Sequence, residues 1–185
     1  MGPQVAVSVL GTDRPGIVCE VASLLAEANC NIDDLTQTVL QDEFAGIFLV
    51  SLPQDTSPDL VQNRLKEGLL PLGIVPYVKE VQTKEKKAQE QSAEPFVVVC
   101  IGQDQVGLIA AVTCVMKGLE VNITNLNSVP GSSAFVGQVV TIFEVDVPEQ
   151  TPLNRLSSAL QEIAARKDIQ VTIQHKRIFE DICRL

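Results

Sequence analysis

The sequence repeats itself, and no other feature limits its possible folds as tightly. Residues 7–35 (VSVLGTDRPGIVCEVASLLAEANCNIDDL) align without a gap on residues 98–126 (VVCIGQDQVGLIAAVTCVMKGLEVNITNL). Glycines coincide at Gly11/Gly102 and Gly16/Gly107, acids at Asp13/Asp104 and asparagines at Asn31/Asn122, an offset of 91 residues (102 − 11). Apolar positions follow the same offset: Val21/Val112, Leu24/Val115, Leu25/Met116, Ile32/Ile123 and Leu35/Leu126. Further along, Ile47, Phe48, Val50 and Pro53 match Ile142, Phe143, Val145 and Pro148 at an offset of 95 (148 − 53), so the second copy carries about four extra residues near 130–133. Between the copies, residues 83–94 contain no Val, Ile, Leu or aromatic residue. Such a stretch has no apolar surface to bury and reads as a solvated linker. The expected organisation is therefore a first domain over 1–82, the linker over 83–94 and a second domain over 95–185.

Each copy reads strand–helix–strand–strand–helix–strand. Val5, Val7 and Val9 alternate as strand residues do, whereas Ile17, Val21, Leu24, Leu25 and Ala28 follow helical spacing. Pro15 is placed just inside the helix start, where its missing N–H costs nothing. Asn29, Cys30 and Asn31 end that helix, and residues 32–40 and 44–52 form a hairpin about Gln41–Glu43. Leu60, Val61, Leu65 and Leu69 line a second helix, and residues 74–81 form a last strand in which Pro76 argues for an edge. Strands near 96–101, 121–129, 136–147 and 169–177 and helices near 107–119 and 152–167 repeat the plan. This is the α+β, ferredoxin-like βαββαβ pattern: an antiparallel four-stranded sheet with two helices on one face, twice. One doubly wound domain is the alternative; long strand–strand stretches without a crossover helix disfavour it. The bare sheet faces and edges invite pairing with another copy.

Composition narrows the function. The chain has 185 residues, 45% of them apolar, and a net charge of −9. The first domain holds 4 basic and 11 acidic residues and the second 7 and 9, so the acidity is concentrated in the first half. A negative surface repels phosphate backbones and anionic lipid, so neither nucleic acid nor a membrane is expected as a direct partner. No apolar run approaches the roughly 18 residues that span a bilayer, and the N-terminal residues run straight into a strand pattern, which makes the cytoplasm the expected location. Five cysteines without a C-x-x-C pair read as reduced thiols, and Cys30 as a plain turn residue without a cationic neighbour. With a single histidine, no zinc site is expected. His175 reads as a solvated residue, because no nucleophile motif accompanies it. Gly11 and Gly16 have phosphate-loop spacing, but Ile17 and Val18 stand where Lys and Ser or Thr are required. Ser132 and Ser133 read as hairpin-turn chemistry. No catalytic residue and no cofactor is expected.

One stretch offers ligand chemistry. Gly11-Thr12-Asp13-Arg14-Pro15-Gly16-Ile17-Val18 recurs as Gly102-Gln103-Asp104-Gln105-Val106-Gly107-Leu108-Ile109. A glycine after the strand permits a tight turn, and a second at the helix start permits close approach. Free N–H groups at a helix start attract a carboxylate, and Asp13 or Asp104 beside them suits an ammonium group. In each copy an asparagine follows 18 residues later (31 − 13 and 122 − 104), at the next strand's start. If the strand–helix–strand unit returns the chain to the same side, turn and asparagine face one cavity. The structural alternatives are that Asp caps the helix, Gly serves packing and Asn makes a left-handed turn.

The pattern G-x-D-R-P-G-I-V, an apolar helix and then Asn-Ile, set in a βαββαβ order, resembles the ACT domain. A tandem pair resembles the glycine cleavage system transcriptional repressor group and is similar to the regulatory segment of formyltetrahydrofolate deformylases. The resemblance implies a regulatory module that binds an amino acid where two modules pair. It places the ligand turn on Asp13, Arg14, Pro15, Gly16 and Ile17, with Asn31 and Ile32 opposite. In the second copy it falls on Asp104, Gly107 and Leu108, with Asn122 and Ile123. There Gln105-Val106 replaces Arg-Pro, removing a cation and a preset helix start. The expected protein is a non-catalytic regulator, a homo-oligomer (dimer) that passes amino-acid binding to a protein partner, possible transcriptional control of amino-acid metabolism included. A ligand-independent interaction adaptor is the alternative. Residues 178–185 read as a short terminal helix.

Overall fold

A computed structural model describes residues 2–81, 92–131 and 137–183, with side chains through Phe179. The chain divides into two compact units, Met1–Lys86 and Lys87–Leu185. They are called domain 1 and domain 2. The expected linker residues 83–91 and the turn residues Ser132 and Ser133 lie outside the described residues. Of the remaining linker residues, Ala93 and Glu94 already pair in a strand, opposite Pro148 and Val147.

Domain 1 runs β1 (Gln4–Thr12), α1 (Ile17–Glu27), β2 (Asn31–Leu40), β3 (Glu43–Ser51), α2 (Pro58–Leu69), a 3-10 turn (Leu70–Leu72) and β4 (Val75–Glu80). Its sheet has the order β2-β3-β1-β4 with antiparallel neighbours. Domain 2 repeats this with β5 (Ala93–Gln103), α3 (Leu108–Gly118), β6 (Asn122–Pro130), β7 (Gln138–Pro148), α4 (Leu153–Lys167) and β8 (Gln170–His175), and adds α5 (Lys176–Cys183). Its order is β6-β7-β5-β8. The fold is the expected pair of ferredoxin-like βαββαβ units.

Each core follows from two periodicities meeting. Alternate strand residues Val5, Val7 and Val9, with Phe44, Phe48 and Val50, face Ile17, Val21 and Leu25 of α1 and Val61, Leu65 and Leu69 of α2. The same positions in domain 2 are Phe96, Val98 and Cys100, Phe143 and Val145, with Leu108, Val112 and Met116, and Leu156, Leu160 and Ile163. Leu60, expected to line the helix face, is exposed instead, because the buried row of α2 is Val61, Leu65 and Leu69 and Leu60 lies about 100° round the helix from it. Ser57 caps that helix by accepting from the Leu60 N–H at 3.3 Å. Pro76 sits in β4, an edge strand, where a missing N–H does no harm.

The turn after β1 corrects two expectations. Gly11 does not make the turn. It pairs inside β1, and a Cβ there would lie 2.9 Å from the Gly73 carbonyl oxygen, so its smallness admits the backbone leading into β4. Gly102 does the same against Ile169 in domain 2. The turn is made by Gly16 at φ 98° and Gly107 at φ 81°, which occupy the N-cap positions of α1 and α3. Pro15 therefore precedes the helix rather than opening it. His175 is half-buried rather than solvated; its ring meets Phe96 edge-on, with centroids 5.3 Å apart.

The tail is the expected helix, with residues 184–185 outside the described residues. α5 folds back against β5 and β8. Lys176 Nζ lies 2.6 Å from Glu144 Oε2, and Asn125 Nδ2 donates to Glu144 Oε1 at 3.0 Å. These two donors hold the Glu144 carboxyl below its ordinary value.

Candidate functional site

In domain 1 a depression of about 350 Å³ lies between the start of α1 and the sheet. Asp13, Arg14, Gly16 and Ile17 of the turn line it, with Val18, Cys19, Gln37 and Phe44. The turn is anchored because the Asp13 N–H donates to the Asp42 carbonyl at 2.7 Å, joining it to the β2–β3 hairpin. No side chain caps α1, so Asp13 is not an N-cap and its carboxylate is exposed. The first N–H groups of a helix have no acceptor within it and carry its positive end.

Arg14 is half-buried, and its Nη2 is buried without a hydrogen-bond partner. An unmatched buried donor costs about 1–3 kcal/mol, more when charged, so this atom calls for an acceptor. Ile17 is core and forms only the floor; Pro15 does not line the depression. Gln37, Phe44, Val18 and Cys19 were missed by the sequence argument. Strand alternation could have found Gln37, which pairs with Gly46 and shares the helix-side face with Phe44.

Domain 2 has an equivalent depression of about 280 Å³, lined by Asp104, Gln105, Gly107 and Leu108, with Ile109, Ala110, Ser128, Val139 and Thr141. Its chemistry differs. Gln105 Nε2 donates to the Lys167 carbonyl at 2.7 Å, closing the last turn of α4. The Leu108 N–H reaches the Gln105 carbonyl at 3.3 Å. The Ser128 and Thr141 hydroxyls share one hydrogen bond at 3.0 Å. Val106, in the place of Pro15, is 99% exposed.

The asparagines are not beside the turns. Thr12 and Leu40 both pair with Glu43, whereas Asn31 and Gln4 both pair with Ser51. Asn31 thus stands at the far end of the sheet from Asp13, about eight residues or 26 Å along the strand. The helix carries the chain back down before β2 starts, so a βαβ unit separates these residues rather than gathering them in one cavity. Asn122 likewise pairs with Asp146, far from Gln138 at the turn end. Ile32 and Ile123 pack against the cores.

Asn31 instead serves a carboxylate. Its Nδ2 donates to Asp33 Oδ1 at 2.8 Å, while Ser51 Oγ and Gln4 Nε2 donate to Asp33 Oδ2 at 2.6 and 2.9 Å. These donors, Ser51 foremost, hold the Asp33 carboxyl below its ordinary range. Cys30 does have a cationic neighbour, Arg64, yet burial outweighs it and pushes the thiol up. Another depression, of about 210 Å³, is lined by Glu27, Ala28, Asn29, Thr56, Leu60, Val61 and Arg64. There Arg64 and Glu27 pair at 3.4 Å and neutralise each other. Among the described residues no group of three potential metal ligands occurs, and no helix is long and apolar enough to cross a membrane.

Comparison with known proteins agrees with this architecture. Residues 4–72 match the family model of the ACT domain. A UPF0237 protein of Methanopyrus kandleri is 46% identical over 69 residues, 37% of this chain and 77% of the relative. A UPF0237 protein of Pyrobaculum aerophilum is 40% identical over 70 residues, 37% of this chain and 78% of the relative. A crystal structure of an unknown protein from Galdieria sulphuraria shares the fold across 94% of this chain and 98% of its own, at a TM-score of 0.74 and 23% identity. A structure assigned as a glycine cleavage system transcriptional repressor covers 93% of this chain and 96% of its own, at 0.60 and 24% identity. With matched residues, sheet order and turn geometry in agreement, the chain belongs to the ACT domain family, its second half repeating the fold of the first.

Proposed function

We propose that the protein is a non-catalytic regulator that binds an amino acid at the turn of domain 1, at an interface between paired modules. The observation that carries this is the depression at an uncapped helix start, where an exposed carboxylate and an unpartnered guanidinium nitrogen lie on one turn. The helix N–H groups and Arg14 suit a carboxylate; Asp13 suits an ammonium group.

Pairing would supply the second wall. β2 is an edge strand. If two copies of domain 1 pair through β2 in antiparallel fashion, the Asn31 end of one meets the Leu40 end of the other, which is the end bearing the Asp13 turn. An asparagine remote within its own domain then stands beside the partner's turn, and Asn both donates and accepts. Binding would favour the paired state only by its differential affinity for the two states. A protein partner, including a regulator of transcription, would read that state.

The test is a thermal-shift screen of the common amino acids with Asp13→Ala and Asn31→Ala as controls. A ligand at about 100 times its Kd adds about 2.7 kcal/mol, so the melting temperature rises and each substitution removes the rise. Failure of every amino acid to raise it overturns the proposal. A ligand-independent adaptor is the second reading. It is favoured by the open face of the first sheet, where Leu10, Ile47, Val75 and Tyr77 are exposed. A partner retained by the Asn31→Ala variant without any ligand would support it.

A further inference from the structure

The two repeats carry the same turn, yet their cationic chemistry has diverged. We propose that Arg14 makes the depression of domain 1 selective for a carboxylate-bearing ligand, and that domain 2 has given up this recognition. This rests on the reading of that depression as a ligand site.

Three observations support it. Arg14 Nη2 is buried without a partner, in a residue that lines the depression. A planar guanidinium offers several donors in a fixed fork, the shape that a carboxylate matches with two parallel hydrogen bonds. The residue 91 positions on, Gln105, has its donor committed to the Lys167 carbonyl. It brings no charge to the second depression, and one of its two amide hydrogens is spent on that carbonyl. The sheet walls differ in the same direction. In domain 1 the residue facing Gln37 is Gly46, over which the Phe44 and Phe48 rings pack, so it sets no polar side chain opposite the Gln37 amide. In domain 2 the pair is Ser128 and buried Thr141, whose hydroxyls hydrogen-bond each other. The second depression thus lacks the unmatched polar group that makes the first one demand a ligand of stated charge.

The experiment is an amide NMR titration of the full chain with acetate, succinate and ethylamine, and with any amino acid found by thermal shift. It compares the wild type with Arg14→Gln and Arg14→Lys. Carboxylates are expected to shift amides near 13–19 and leave those near 104–110 in place. Arg14→Gln should weaken the response at least tenfold, and Arg14→Lys, which keeps the charge without the fork, should weaken it less. An amino acid that binds domain 1 equally well in Arg14→Gln overturns this inference and leaves the amino-acid reading intact. Carboxylates bound through Arg14 with no amino acid bound support this inference and overturn that reading. Equal responses in both domains, or ethylamine acting as well as acetate, overturn it. So does an Arg14→Gln variant that changes oligomeric state by light scattering while no carboxylate binds, because the acceptor is then a carboxylate of a second copy.

Discussion

At the scale of single residues, glycine and cysteine show how context sets a role. Gly16 is needed for its backbone angle: no heavy atom lies within 4 Å of where its Cβ would be. Gly16→Ala should therefore cost about 1–2 kcal/mol through left-handed strain alone, measured by denaturant unfolding. It should also tilt the first N–H groups of α1 and weaken any ligand bound there. Thiols should separate by burial. Burial pushes Cys100 up to about 11, so it stays protonated and protected at pH 8, whereas Cys19 and Cys114 are exposed. Alkylation followed by peptide mapping should label Cys19 and Cys114 in the native protein, and Cys100 only after unfolding. The turn residues Asp13 and Gly16 were legible in the sequence because their spacing recurs. Gln37 was not: strand alternation marks the face it lies on, but only the fold brings that face, 21 residues beyond Gly16, to the turn.

At the scale of elements, α5 is the piece the first repeat has no counterpart for among the described residues. It ties itself to the open face of the second sheet through Lys176 and Glu144. The Glu144 carboxyl is held below its ordinary value, first by the Lys176 hydrogen bond. A group so depressed contributes its stability above the unfolded value of 4.5 and loses it as pH falls through the lower folded value. The pair is only partly buried and still meets solvent, so the effect is under about 1 kcal/mol. Amide protection in α5, taken relative to the intrinsic exchange rate at each pH, should fall below about pH 4.5, and Glu144→Gln should remove that fall. Protection factors unchanged by acid would count against the tie. β2 and β6, in contrast, remain edges, and their outward rows of N–H and C=O groups are templates for pairing.

At the scale of the molecule, the two units have separate cores and separate sheets. Each should fold alone when expressed as residues 1–86 or 87–185. Phe48 is fully buried under α1 and α2, and Phe48→Ala should destabilise domain 1 by about 3–5 kcal/mol while leaving domain 2 unchanged. Heat-capacity scans would then show one transition displaced and one in place. Salt should weigh more on the first unit, whose 6 basic and 12 acidic residues leave it a net charge of −6 (6 − 12) and so repel one another.

The repeat, the element order and the two core faces could be read directly from the chain, because side-chain periodicity is a local property and duplication shows every local property twice. Val5, Val7 and Val9 declare a strand face, and Ile17, Val21 and Leu25 a helix face, without reference to anything distant. Which residues share a site is a different kind of fact. Asn31 lies only 18 positions beyond Asp13 yet stands at the opposite end of the sheet, and Gln105, matched to Arg14 by position, turns to the end of α4. Strand direction and register set those distances, and both depend on partners far away in the chain.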